Sequence, residues 1–235
     1  HFDGPWSGLE LTGRWNQECR AGYFGSINHI DDQLASLLSR LRCEVEDTYI
    51  IFTADHGEML GDHHWFKKAL PFEGSARIPL LVSGPGIPKG TVLDAAVDLV
   101  DILPTACDLA GISIPDWAEG TSLARVARGG KTGRLFIHSE SAGNDERCHQ
   151  ALTDGRWKFI WMVQSGKEYL FDLHHDPHEL HNLIEEPKNQ AETSLWRERL
   201  IERLRSRPEG FVAKGRLVAG VPYPRVVPGR EQPED

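Results

Sequence analysis

The chain is poor in several features that would place it in familiar classes. It holds four cysteines, Cys19, Cys43, Cys107 and Cys148, far apart and without a Cys-x-x-Cys pair. That spacing argues against structural zinc and suits scattered buried thiols. No apolar run approaches the roughly 20 residues that a membrane-spanning helix needs. Positive charge is in deficit: 26 Lys and Arg against 35 Asp and Glu give a formal charge of −9. A nonspecific nucleic-acid binder needs the opposite balance, although a local field can still attract a sulfate or phosphate. Internal repeats are absent. The chain opens on His1-Phe2-Asp3-Gly4-Pro5-Trp6, the texture of an internal segment, which leaves periplasm and cytoplasm equally open. Oligomeric state is unknown from the sequence.

What is present is the balance of a soluble globular protein. The 235 residues, 40% hydrophobic and 26% charged, suffice for one large domain or two small ones. Between Cys19 and Cys43, the residues Ile27, Ile30, Leu34, Leu37, Leu38 and Leu41 predict an amphipathic helix, with Asp31, Asp32, Arg40 and Arg42 available to solvent. A polar turn over Glu44 to Asp47 leads into Tyr49 to Thr53, apolar on both faces. A helix followed by a strand buried on both sides is half of a parallel α/β unit. A second buried strand is expected at Ile78 to Val82, stopped by Ser83-Gly84-Pro85-Gly86, with Pro79 near its start.

Asp101 is placed to cap a helix over Leu103 to Ala110, with Pro104 in the first turn and Gly111 ending it. After about Ala118, short strands are expected at Leu135 to His138, Gln150 to Thr153, Trp157 to Met162 and Glu168 to Asp172, forming a small antiparallel sheet. Glu192 to Arg205 reads as a helix with Leu195, Trp196, Leu200 and Leu204 on one side. The Pro- and Gly-rich tail from Pro208 is expected to wrap the surface. The predicted division is an α/β core over residues 1–125 and an α+β subdomain with surface tail over 126–235.

The chemistry concentrates after the first strand, which ends in Asp55-His56 and is followed by Lys68 and Arg77. In an α/β sheet, ligands bind at the carboxyl ends of strands. A carboxylate oxygen beside an imidazole nitrogen suits zinc, manganese, iron or a site completed by more carboxylates. Alternatively, Asp55 caps a following helix and His56 packs as an ordinary polar residue. His63 and His64 add imidazoles nearby, but such residues are also common in hydrogen-bonded loops. Lys68 as a compact charge and Arg77 through its planar fork suit an oxyanion. An ion pair between Arg77 and Glu73 is the competing reading.

Thr53-Ala54-Asp55-His56-Gly57-Glu58-Met59-Leu60-Gly61-Asp62-His63, then Lys68 and Phe72-Glu73-Gly74-Ser75-Ala76-Arg77-Ile78-Pro79, resembles the sulfatase family of the alkaline phosphatase superfamily. Other stretches match it in the same order: Tyr23 with Ile30-Asp31-Asp32-Gln33, Asp101-Ile102-Leu103-Pro104-Thr105 with Leu109-Ala110-Gly111, and Tyr169-Leu170-Phe171-Asp172-Leu173 with Asp176-Pro177, Glu179 and Asn182-Leu183. The implied fold is α/β: part of an alkaline-phosphatase-like parallel or mixed sheet with helices, followed by a small α+β subdomain with an antiparallel sheet. The resemblance makes Asp55 and His56 metal ligands and Lys68, five residues before Glu73, the lysine that contacts sulfate; Lys67 becomes a solvated neighbour. Many sulfatases carry Asn where His56 stands. The Asp-His version also occurs among bacterial sulfatases and in phosphonate monoester and phosphodiester hydrolases, so both substrate classes stay open. The implied metal is divalent, calcium first, with manganese or magnesium as alternatives. His138 with Glu140, His149, Arg77 and Arg147 are candidate pocket residues, and Trp157 and Trp161 are core or interface aromatics.

Family sulfatases attack sulfur with a formylglycine made from Cys or Ser in a C/S-x-P-S-R motif. The four cysteines here precede Arg20, Glu44, Asp108 and His149, and no serine begins the motif. The resemblance therefore implies the C-terminal half of a sulfatase. Its formylglycine, its paired Asp ligands, and its first active-site lysine and histidine would be supplied by an N-terminal half. By itself the chain is expected to be catalytically incomplete, and a non-catalytic binding or structural fragment is the reading from another class.

Overall fold

The structure is a computed structural model that describes residues 13–41, 47–143 and 145–224. Cys43, residues 44–46 of the expected turn, the opening residues 1–6 and the last part of the tail lie outside the described residues. By packing, the chain divides into two compact units. Of the described residues, one holds those up to Lys68 together with Arg77–Arg134; the other holds Ala69–Ala76 and those from Leu135 onward.

The first unit opens with α1, Arg14–Arg40, a 27-residue helix about 40 Å long. It starts before the expected Cys19, after Gly13 in the left-handed region (φ 78°). None of its residues is buried, and Tyr23, Phe24, Ile27, Ile30, Leu37 and Leu38 are exposed. The three-four periodicity thus forms a helix whose apolar face has no cover among the described residues. The strands β1, Ile50–Thr53, and β2, Leu80–Ser83, pair antiparallel, with Ile50 opposite Ser83 and Thr53 opposite Leu80. The α/β class stands, but the expected parallel unit does not form between these two strands. A parallel pair requires a crossover, usually helical, whereas residues 54–79 contain turns, a three-residue 3-10 helix at Asp62–His64 and a single-turn helix, α2, Glu73–Ala76. Nor are the strands buried on both faces, since Phe52 and Leu81 are exposed.

Two helices complete this unit: α3, Ile102–Ala110, and α4, Leu123–Ala127. Gly111 ends α3 in the left-handed conformation (φ 70°), as the sequence predicts. Asp101 does not cap α3 through its side chain. Asp98 caps the preceding 3-10 turn by accepting from the Val100 N–H at 3.0 Å. The fully buried carboxylate of Asp101 instead accepts from the Asp98 N–H (2.9 Å), the Thr121 N–H (2.7 Å) and both terminal nitrogens of Arg134 (2.9 and 2.8 Å). A buried charge needs such complete satisfaction.

The second unit is built on an antiparallel meander: β3, Ile137–Ser141; β4, His149–Thr153; β5, Trp157–Met162; and β6, Glu168–Asp172. Against it packs α5, Gln190–Leu204. Thr193, Trp196, Leu200 and Leu204 make its buried stripe, at helical spacing, and Leu195 turns outward. Leu152, Phe159, Trp161 and Leu170 meet that stripe in one core cluster. Full burial of each such side chain stabilises by roughly 1.5–3 kcal/mol. The tail does more than wrap the surface. After the short pair β7, Val212–Ala213, and β8, Arg216–Leu217, it contributes Tyr223 to the core beside Phe211. Phe211 stands edge-on to Trp161 and to Tyr223, at 6.0 and 5.0 Å between ring centres. No helix among the described residues is long and apolar enough to cross a membrane.

Candidate active site

β1 ends at Thr53 and delivers Asp55 and His56 just beyond it. The Asp55 carboxylate is 84% exposed and accepts the His56 backbone N–H at 3.0 Å, so the two side chains leave the strand together. Their closest donor atoms, Asp55 Oδ2 and His56 Nε2, lie 3.5 Å apart. Two ligands at right angles around a cation, each about 2.4 Å from it, would be about 3.4 Å apart, so the pair fits one ion. His56 Nδ1 lies 2.7 Å from the Gly57 carbonyl oxygen, which can only accept; the ring proton therefore sits on Nδ1, and Nε2 presents a lone pair. The Lys68 ammonium donates to that lone pair at 2.5 Å. Among the described residues, no three of His, Cys, Asp and Glu converge as a metal cluster.

The loop that brings Lys68 to His56 is tightly wound. Leu60, His63, His64, Lys67 and Ala69 all have positive φ, between 50° and 76°. Such conformations cost of the order of 1–3 kcal/mol each outside glycine and persist only where neighbours hold them. Backbone bonds run from Met59 N–H to Lys67 O (2.9 Å), Gly61 N–H to Trp65 O (2.7 Å) and Asp62 N–H to Met59 O (2.8 Å). The Glu58 carboxylate accepts from the N–H groups of Leu60 and Lys67. Arg20 of α1 donates to the Leu60 carbonyl at 2.8 Å and pairs with Asp62 at 2.6 Å. Met59 and Trp65 bury their side chains beneath the turn. Lys67 itself points to solvent.

Past Lys68, the segment Ala69–Ala76 belongs to the second unit. There the buried Lys158 donates to the Pro71 carbonyl (3.0 Å) and to Glu73 (2.6 Å) and pairs with Glu179 (2.8 Å). Glu179 also accepts the Glu73 N–H at 2.7 Å. Burial pushes the Glu179 carboxyl above the usual carboxylate range, against the pull of Lys158. Arg77 is exposed at the point where the chain returns to the first unit.

His138 and His149 belong to the second unit. His138 donates through Nε2 to the Gln150 side-chain oxygen at 2.7 Å and accepts from Arg203 at 3.3 Å; burial, foremost, lowers its pKa. Gln150 donates onward to Glu140, which also accepts from Tyr223 and Arg207. His149 is enclosed and donates through Nδ1 to the Arg147 carbonyl at 2.7 Å; burial pushes it down to about 4, so it is neutral. Arg147 pairs with Asp145 at 2.5 Å. The structure thus brings Asp55, His56 and Lys68 together in the first unit. Sequence reasoning did not single out Glu58 or Arg20 as holding the loop that carries Lys68, nor Lys158 as holding Glu73 and Glu179 in the second unit. Glu58 had a signal, being contiguous with the Asp-His pair.

Residues 61–206 match the family model described as N-sulphoglucosamine sulphohydrolase, C-terminal. An arylsulfatase of Clostridium perfringens is 40% identical over 213 residues, covering 88% of this chain and 44% of the relative. A choline-sulfatase of Rhizobium meliloti is 36% identical over 200 residues, covering 81% of this chain and 38% of the relative. Among solved structures, the phosphonate monoester hydrolase of Agrobacterium radiobacter superposes with a TM-score of 0.73 at 29% identity, over 84% of this chain and 43% of that one. The chain therefore spans less than half the length of the relatives it matches.

Proposed function

The chain belongs to the sulfatase family, and on that footing we propose that it is part of a metal-dependent enzyme that hydrolyses sulfate esters. The observation that carries this reading is the constellation at the end of β1: a carboxylate oxygen and an imidazole lone pair 3.5 Å apart, with an ammonium 2.5 Å from the imidazole. Asp55 and His56 would hold a divalent cation, calcium by family resemblance, with manganese or magnesium as alternatives. Such an ion polarises the ester oxygens and lowers the pKa of a nucleophile. His56 can give Nε2 to the ion or to Lys68, not to both. Ligation by His56 therefore frees the Lys68 ammonium to meet the sulfate oxygens. Gly57 keeps the His56 proton on Nδ1 in either case.

The remaining ligands and the nucleophile, a formylglycine, would come from polypeptide outside these 235 residues. The uncovered apolar face of α1 supports that partnership: Phe24, Ile27 and Ile30 are the kind of surface that a companion segment buries. Two measurements test the reading: metal content, and hydrolysis of nitrophenyl sulfate, each for the 235-residue chain alone and for the gene product that carries it. Activity and metal are expected in the gene product only; robust turnover by the isolated chain would overturn its incompleteness. Lys68→Ala is expected to lower kcat/KM by a hundredfold or so, Lys67→Ala by little, and equal losses would reject the assignment of Lys68.

A phosphonate monoester or phosphodiester hydrolase is the second reading, compatible with the Asp-His pair and favoured by the likeness to the Agrobacterium radiobacter structure. Paired assays on an aryl sulfate and an aryl phosphodiester separate the two. Metal-free, inactive gene product would leave the non-catalytic reading.

A further inference from the structure

Lys68 sits between two left-handed residues, Lys67 (φ 68°) and Ala69 (φ 76°). Neither is a glycine or asparagine, so local sequence does not favour this shape. A carboxylate holds it. Glu58 Oε1 accepts the Leu60 N–H at 3.2 Å and the Lys67 N–H in a shorter contact. The next residue along, Met59, donates its own N–H to the Lys67 carbonyl at 2.9 Å. Lys67 is therefore gripped at both ends, its N–H by the Glu58 side chain and its carbonyl by the Met59 amide. That carbonyl belongs to the peptide bond leading into Lys68, so the grip sets where the Lys68 side chain starts. The same short stretch carries His56, whose Nε2 the Lys68 ammonium reaches.

We infer that Glu58 is a positioning residue for Lys68: it acts through the backbone of Lys67 and aims the ammonium at the Asp55-His56 site without touching substrate. This rests on Lys68 being the residue that meets the sulfate. Both hydrogen bonds need only an acceptor oxygen at the right reach, so Glu58→Gln preserves the grip and Glu58→Ala removes it.

The test uses the gene product that carries this chain. It measures kcat and KM on nitrophenyl sulfate, metal content, and the ratio of Lys68 to Lys67 acylation by an acetylating reagent, read by peptide mass spectrometry. Glu58→Ala is expected to lower kcat/KM on the order of a hundredfold. It should also change the acylation ratio by roughly fivefold, the worth of one hydrogen bond, with metal content unchanged. Glu58→Gln is expected to recover most of both effects. Should Glu58→Ala fail to fold, Glu58→Asp, one methylene shorter, makes the same comparison. A wild-type acylation ratio in Glu58→Ala overturns the positioning role. So does equal failure of the Gln and Ala variants, or loss of metal in either. If the ratio moves as expected while the wild type hydrolyses no sulfate ester, the positioning role stands and the sulfatase reading falls.

Discussion

Burial gives His149 a role in stability that is independent of any chemistry it performs. Its pKa is pushed down to about 4, against 6.5 for the unperturbed group, because the enclosed ring disfavours charge. The folded state therefore resists a proton that the unfolded chain accepts. The stabilisation from the neutral ring is complete above about pH 6.5 and is lost as pH falls from there towards 4, by about 3 kcal/mol in all. Thermal melts from pH 7 to 4 should show a steeper decline for wild type than for His149→Gln; parallel slopes would contradict the account. Lys158 presents the opposite problem, a buried cation between Glu73 and Glu179. Lys158→Met leaves the buried Glu179 carboxylate, and the half-buried Glu73 beside it, without their cation and should cost about 3–5 kcal/mol. Adding Glu73→Gln and Glu179→Gln to that variant should return much of the loss, measurable by urea unfolding.

Among the elements, the junction of α3 with the loop before α4 tolerates little added bulk. A Cβ at Gly120 would stand 2.1 Å from the Val100 carbonyl oxygen and 2.9 Å from Asp101 Cα, both backbone atoms that the Asp101 network fixes. Gly120→Ala should therefore cost about 3 kcal/mol. At Gly111 a Cβ meets open space, and Gly111→Ala should cost only the left-handed penalty of about 1 kcal/mol. Melting temperatures of the two variants check the order. β5 and β6 were legible to the residue because hairpin strands declare themselves locally, through apolar runs between turn residues. The pairing of β1 with β2 was not, since periodicity identifies a strand but not its partner. Phe211 and Tyr223 were hidden as core anchors by the Pro- and Gly-rich context around them. At the site, Asp55, His56 and Lys68 were readable from one contiguous motif. The hold of Glu58 on Lys67 depends on left-handed residues that are not glycine, and Lys158 reaches Glu73 across 85 positions; neither leaves a mark in local sequence.

For the molecule as a whole, α1 decides whether the proposed partnership holds. Ile30 is 54% exposed, so Ile30→Glu should alter the stability of the 235-residue chain by no more than about 0.5 kcal/mol. In the gene product, the same charge is expected to abolish activity by keeping the companion segment away; unchanged activity would show that this face is not used. The order of packing also differs from the order of sequence, because Ala69–Ala76 lies within the second unit while the residues on either side of it lie in the first. For gene exchange, this means that the units are not interchangeable cassettes. A crossover between residues 134 and 135 would inherit Lys158 and Glu179 from one parent and Glu73 from the other. Chimaeras joined there should survive only between parents that already agree on those three residues.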